Sequence, residues 1–309
     1  MYIRRSDRFA VVQSPAKVNL FLEVLARRED GFHEIETLMV PINLFDTLEF
    51  TSTIDEQLRL TCNWVTGYAA QDNTLDDRLG RLPAPDDNIV FKVLQGFRQR
   101  TSTNSGATIR LIKRIPTAAG LGGASSNAAA ALLAANHAWR IGWSNQQLAE
   151  FSAEFGSDIP FFFVGGSAVC RGRGEVVEPV ECRKSLNMVV VRPPAGLSTA
   201  EVYQHCKIPQ QPKSIQQMID ATRQGNAAWI ARSMTNRLQP AAFQLSPWIN
   251  RIHQFFNDLG CIGHQMSGSG TSYFGVCHNA SHARCVAARV RAAGFGLVFF
   301  VSTCANPTR

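Results

Sequence analysis

No apolar run in this sequence reaches the length of about 20 residues that a membrane-crossing helix needs. Runs such as Ile159 to Val164 and Leu297 to Val301 stop far short of it. The cysteines supply no C-x-x-C pair: Cys62, Cys170, Cys182, Cys206, Cys261, Cys277, Cys285 and Cys304 stand apart, as reduced and mostly buried thiols would. No block of like charge resembles a nucleic-acid-binding arm, because the basic pairs are short and scattered. Internal repeats and low-complexity tracts are absent. Arg4, Arg5 and Arg8 precede no apolar stretch of signal-peptide length, so a cytoplasmic location without a membrane partner is expected.

What is present is an ordinary globular balance. Of 309 residues, 45% are hydrophobic and 18% charged, enough to bury a core without disulfides or metals. The length favours two modest domains or one large one. A formal net charge of +7 and an isoelectric point near 9.2 fit either a solvated basic surface or an anionic partner, and charge alone does not choose.

Residue patterns predict an α+β chain. Strand density covers residues 9–25, and a polar turn ends in Asp30-Gly31. Two further short strands are expected over 32–50, broken near Pro41 to Asp46, then a long surface loop over 60–87. Helices are expected over 88–100, 125–140 and 145–155, the last ended by Gly156. Strands are expected over 107–114 and 159–169. After a boundary around 168–182, a strand (188–192), helices (214–222, 227–237, 249–259) and a closing strand–helix–strand (271–276, 281–293, 296–302) complete the chain.

The most informative segment is Pro116-Thr117-Ala118-Ala119-Gly120-Leu121-Gly122-Gly123-Ala124-Ser125-Ser126-Asn127, followed by an alanine-rich run. Glycines let a backbone approach a phosphate. The first amides of a helix lack internal partners, and the helix dipole favours an anion there. The segment has no lysine where a P-loop needs one, and Ser125 stands where a dinucleotide fold needs its last glycine. A tight turn that binds nothing could use the same glycines; the serines and the alanine helix favour an anion.

Other candidates are weaker by themselves. Lys17 and Asn19 share one strand face, yet from this stretch alone a solvated edge lysine is the favoured reading of Lys17. Phe32 and His33 could stack a base or pack in a core. Asp158, two residues before Pro160, could cap the next element or hold a reacting hydroxyl. Cys277, His278, His282 and Cys285 have a spacing that could suit a metal, but structural zinc ligands come in tighter pairs, so they are left out of the site and the metal ligands stay unknown.

Together the segments resemble the GHMP kinase superfamily and, within it, the CDP-methylerythritol kinase family of isoprenoid biosynthesis. The resemblance rests on Ser14-Pro15-Ala16-Lys17-Val18-Asn19-Leu20, Asp30-Gly31-Phe32-His33, Asp87-Asn88-Ile89-Val90, the Pro116–Asn127 segment, Gly156-Ser157-Asp158-Ile159-Pro160 and Met266-Ser267-Gly268-Ser269-Gly270-Thr271, all in family order. It implies a two-domain fold: a ribosomal-protein-like N-terminal domain over 1–172 and a ferredoxin-like α/β sandwich over 173–309. It implies ATP as phosphoryl donor with Mg2+, and a small-molecule substrate carrying a cytidine diphosphate, with no nucleic acid partner. Lys17 and Asp158 match the family's catalytic pair. Pro116, Thr117, Ala118, Ala119, Gly120, Leu121, Gly122, Gly123, Ala124, Ser125, Ser126, Gly268, Ser269 and Gly270 match its ATP-binding segments, and Asn19, Phe32, His33 and Tyr203 its cytidine end. Phe32 replaces the usual tyrosine, Ala124 replaces a glycine, Ser157 replaces alanine, and residues 63–86 are longer than usual. The rival readings are another GHMP kinase acting on mevalonate-, homoserine- or sugar-type substrates, and a non-catalytic nucleic-acid-binding protein.

Overall fold

The structure is a computed structural model and describes residues 1–65 and 79–304. Its contacts divide the chain into two discontinuous units. Unit one comprises Met1–Ala16, Leu44–Thr117 and Gly122–Gly165; unit two comprises Lys17–Asn43, Ala118–Leu121 and the chain from Gly166 onward.

In unit one, β1 (Tyr2–Ser6) pairs antiparallel with the start of β2 (Phe9–Arg27). The end of β3 (His33–Thr53) pairs antiparallel with β5 (Gly106–Lys113), and β4 (Leu58–Trp64) lies parallel to β5. Helices α1 (Ile89–Thr101), α2 (Gly123–Ala138) and α3 (Asn145–Ser152) complete the unit. Each start has a local cause. Asn88 caps α1 through its side chain, Ser144 and Gln147 form a capping box on α3, and eleven residues of α2 are buried, mostly small alanines. Phe50, Phe97, Trp139, Trp143, Phe151 and Phe155 pack ring on ring into one aromatic core.

In unit two, the start of β3 pairs with β6 (Ala168–Gly172), which pairs with β7 (Val176–Pro179). An antiparallel sheet runs in the order β10 (Gly263–Met266), β11 (Tyr273–Cys277), β8 (Asn187–Arg192), β12 (Leu297–Ser302). The helices are α4 (Thr199–Gln204), α5 (Gln216–Gln224), α6 (Ala227–Ser233), α7 (Gln239–Leu245), α8 (Pro247–Asn257) and α9 (Ala280–Ala292). Val189, Val191, Ile252, Phe256, Tyr273, Val286 and Val290 share one buried core. Truncating a fully buried ring such as Phe256 to alanine would cost about 3–5 kcal/mol. A two-residue strand, β9 (Thr235–Asn236), lies parallel to β2 at Phe21 and Leu22.

Several expectations are corrected. Residues 33–53 form one strand, because the carbonyl of Pro41 accepts from Cys304 N and Asn43 Oδ1 accepts from Ser302 N, which carries the strand through the proline. The loop expected over 60–87 begins inside β4, where Leu60 is buried; residues 66–78 of it lie outside the described residues. Residues 159–169 are a short 3-10 turn (Pro160–Phe163) before β6, because Pro160 supplies a helical φ and no N–H. Helix α3 ends at Ser152, ahead of Gly156, and α6 ends at Ser233, ahead of β9. Elements β1, β6, β7, β10, α4 and α7 were not anticipated.

Candidate active site

The glycine-rich segment divides between the units: Pro116, Thr117 and Gly122–Ser126 count with unit one, Ala118–Leu121 with unit two. In unit one, Gly122 (φ 67°) is the N-cap of α2, so the helix begins at Gly123, two residues before the expected start. Ser125 and Ser126 therefore lie in the first turn and do not cap. The amides of Gly123, Ala124 and Ser125 are the orphan donors of this helix end. Ala124 is helical, outside the left-handed region, so the alanine at that position costs nothing. The Ser126 hydroxyl is buried and has no hydrogen-bond partner among the described residues.

Beneath this helix start lies a buried charged network. Asp46 is fully buried and accepts from the Lys113 ammonium, from Asn127 Nδ2 at 3.0 Å, and from the backbone N–H of Arg114 at 2.6 Å and Ile115 at 2.9 Å. Ser14 Oγ donates to Asn127 Oδ1 at 2.8 Å. Gly123 packs so tightly that a Cβ there would stand 2.8 Å from Ile115 and 3.3 Å from Lys113 Nζ. Asp46 thus fixes the strand end that feeds the segment and the helix that leaves it. Asp158 sits in unit one, half-buried, in the turn between α3 and Pro160.

In unit two, residues Ala118–Leu121 are held on both sides. Lys17 N donates to the Leu121 carbonyl at 2.9 Å, and Ser272 N donates to the Ala119 carbonyl at 3.1 Å. Gly120 (φ +70°) comes so near the turn after β10 that a Cβ would stand 2.2 Å from the Ser267 carbonyl, so only glycine fits. Ala118 is the alanine that adopts a left-handed φ, at 48°. Lys17 Nζ donates to Asn19 Oδ1 at 2.8 Å, Asn19 Nδ2 donates to Thr37 Oγ1 at 2.8 Å, and Thr37 Oγ1 donates to the Phe21 carbonyl at 2.5 Å. Ser267 Oγ donates to the Gly120 carbonyl at 2.9 Å and accepts from Asn19 N at 3.4 Å. A Cβ on Gly268 would stand 3.3 Å from Asn19 Oδ1 and 3.4 Å from Lys17 Nζ. Lys17, Asn19, Gly120 and Gly268 are therefore brought together, with Ser269 and Gly270 completing the turn.

The His33 and Tyr203 rings lie 5.0 Å apart at 33°, both half-buried. Burial and nearby Arg27 lower the His33 pKa, which keeps the ring neutral and apt for stacking. Phe32 is 52% exposed and, among the described residues, takes Arg173 over its ring at 5.0 Å instead of joining His33. The Cys277–Cys285 spacing gathers no metal-binding group among the described residues. His282 Nε2 pairs instead with the Leu259 carbonyl at 3.1 Å.

The GHMP kinases N terminal domain family matches residues 88–166, and the GHMP kinases C terminal family matches residues 218–295. A 4-diphosphocytidyl-2-C-methyl-D-erythritol kinase of Pelotomaculum thermopropionicum is 40% identical over 278 residues, covering 89% of this chain and 92% of the relative. The chain belongs to the CDP-methylerythritol kinase family. A second member of the CDP-methylerythritol kinase family, from Alkaliphilus metalliredigens, is 35% identical over 88% of this chain and 89% of its own length. A crystal structure of 4-(cytidine 5'-diphospho)-2C-methyl-D-erythritol kinase superposes with a TM-score of 0.77 at 29% identity, covering 96% of this chain and 100% of that one. Homoserine kinase from Cytophaga hutchinsonii shares the fold, with a TM-score of 0.72 at 19% identity over 99% of this chain and 98% of its own.

As a CDP-methylerythritol kinase family member, the chain has the two-domain GHMP kinase fold of the α+β class and is an ATP-dependent small-molecule kinase. Sequence reasoning missed Asp46, Lys113 and Asn236, and gave Ser267 no role within its motif. The only local signals were an aspartate and a lysine lodged in apolar strands.

Proposed function

We propose that this chain transfers the γ-phosphoryl group of ATP to the 2-hydroxyl of 4-diphosphocytidyl-2-C-methyl-D-erythritol, in the cytoplasm, as a step of non-mevalonate isoprenoid synthesis. One observation carries the reading. Lys17 stands against the backbone of Gly268 and beside Asn19, on the same β2–β3 hairpin that bears His33 of the His33–Tyr203 ring pair. A cation at a glycine turn suits a phosphate, and a half-buried ring pair suits a cytosine. The relatives' names point the same way. No helix among the described residues is long and apolar enough to cross a membrane, in keeping with the proposed location.

In this reading Asp158 accepts the proton of the substrate hydroxyl as its oxygen bonds to the γ-phosphorus, and the bond to ADP breaks in line. Lys17 offsets the charge that develops on the oxygens. The amides at the start of α2 suit phosphate oxygens, and positioning and charge supply most of the rate. Tyr203 and His33 fix the cytosine, and Asn19 orients Lys17. The residues present fit a magnesium ion, because the unpartnered, buried Ser126 hydroxyl is a hard oxygen donor at the helix start. When bound, the ion would neutralise phosphate charge.

The test is ATP consumption with CDP-methylerythritol beside mevalonate and homoserine. Turnover with the cytidine substrate alone is expected. Preference for either of the others would replace this reading with that of another GHMP kinase. Tyr203→Ala should raise KM for the cytidine substrate roughly 5- to 100-fold, the worth of one lost base–aromatic stack, while KM for ATP stays within twofold.

A further inference from the structure

We propose that Asn236 is a positioning residue for phosphoryl transfer: its side-chain amide holds the Met266–Gly268 turn in the shape that seats Gly268 against Lys17. The inference rests on the reading of the Gly120 and Gly268 turns as the nucleotide site, and it concerns a residue that touches neither substrate.

Asn236 is 7% exposed and forms half of the two-residue strand β9. It is registered beside Leu22, on the strand that carries Lys17 and Asn19. Its Nδ2 donates to the Met266 carbonyl at 2.8 Å and to the Gly268 carbonyl at 2.8 Å, and its Oδ1 accepts from Leu238 N at 3.0 Å. An amide nitrogen has two hydrogens, so its donor capacity is used in full. The Leu238 N–H fixes the orientation of the amide, since the flipped form would set oxygen against two carbonyls. From the same segment, Gln239 Oε1 accepts from Met266 N at 2.8 Å. Residues 236–239 therefore grip both polarities of the turn from one side.

From the other side, Ser267 ties the turn to the Gly120 carbonyl and to Asn19. The turn is thus clamped between a rigid scaffold and the phosphate segment, and the backbone of Gly268 has little free space before Lys17 and Asn19. Two carbonyls on one side of a turn repel each other unless a donor sits between them. Asparagine supplies two donors at the required reach. Aspartate supplies none when ionised, and glutamine is one methylene longer. Released from this clamp, the turn would relax by a fraction of an ångström to an ångström, a displacement that costs about 100-fold in rate when it misplaces reacting groups.

The test uses the full-length chain. Asn236→Asp at pH 8 should raise KM for ATP and lower kcat/KM for ATP by about 100-fold, with KM for the cytidine substrate within twofold of wild type. As pH falls toward 5.5, a fraction of the new carboxyl regains one donor, so the variant-to-wild-type activity ratio should rise at least threefold. A purely structural role predicts a lower Tm with both KM values unchanged and a flat ratio, and that result overturns the inference. Should Asn236→Asp fail to fold, Gln239→Ala, which deletes only the acceptor of Met266 N, should give the same one-sided rise in KM for ATP at about 3- to 10-fold; equal effects on both substrates, or none, also overturn it. Gly268→Ala separates the two levels. If it changes no parameter, the nucleotide-site reading fails, whereas a damaging Gly268→Ala beside a silent Asn236→Asp sinks only the role of Asn236.

Discussion

Beneath Gly123, unit one buries a carboxylate and an ammonium; at Gly268, which faces the Lys17 ammonium, unit two holds the turn with amides and hydroxyls. Both foundations hold a glycine turn by its backbone. In unit one, Asp46 gathers Lys113, Asn127 and two main-chain N–H groups around one charge. In unit two, Asn236, Ser267 and Gln265 each bridge backbone groups without a charge, Gln265 Nε2 donating to the carbonyls of Asn19 at 2.8 Å and Leu20 at 3.1 Å. The difference has an energetic meaning. A buried ion pair often gains nothing over a well-packed apolar substitute but fails badly when halved. A neutral network loses about 1–3 kcal/mol per orphaned group, and its value lies in geometry.

Chemistry gives the comparison its hardest test. Asp158→Asn in unit one should lower kcat by roughly 100- to 10,000-fold, with ATP affinity in equilibrium titration within about threefold of wild type. Near-normal turnover would remove Asp158 from the mechanism. Lys113→Met should destabilise the chain by about 3–5 kcal/mol in urea unfolding, because it leaves Asp46 charged and buried. Adding Asp46→Asn to it should recover part of that loss, and a double variant no better than the single would mean that the charges are not what matters. In unit two, Gln265→Met should cost only about 1–3 kcal/mol, and a cost as large as that of Lys113→Met would erase the distinction.

A smaller effect concerns pH. The rings of His253 and His264 both meet the hydroxyl of buried Tyr273 through Nδ1 at 2.8 Å. Burial and neighbouring His253 push the His264 pKa from its ordinary 6.5 down to about 4. The unfolded chain therefore takes up this proton first as pH falls. Stability is complete above pH 6.5, declines below it, and by pH 4 has dropped by about 1–2 kcal/mol after allowance for solvent screening of a half-buried ring. Urea midpoints at pH 7 and pH 4.5 measure it, and identical midpoints would exclude the effect. The smallest change expected is Ala118→Gly. It relieves a left-handed alanine but loosens the unfolded chain, for a net gain of about 0.5–1 kcal/mol visible as a raised Tm.

The features legible in the sequence were those with local causes. Helix α1 announced itself by the spacing of Ile89, Val93, Leu94 and Phe97; the last three are buried, and Val90, not the half-buried Ile89, completes the buried face. Helix α2 was legible from its alanines, though its start moved to Gly123 because the backbone of Gly122 takes a left-handed turn that the serines did not reveal. Strand β4 was hidden because Leu58–Trp64 is a short strand whose partner, β5, comes some 50 residues later. Asp46, Lys113 and Asn236 were hidden for the same reason: Asp46 meets Lys113 across 67 residues and Asn127 across 81, and Asn236 meets Gly268 across 32.

Local residue patterns are enough to specify the glycine turns, the helix that follows them and the ordered motifs that mark a GHMP kinase. Backbone freedom at glycine, helix propensity in alanine and alternation along a strand act over a few residues and need no partner. Tertiary structure decided what holds those turns: a buried carboxylate beneath Gly123 and an asparagine amide behind Gly268. Hydrogen bonds across tens of residues exist only once the chain has brought their ends together.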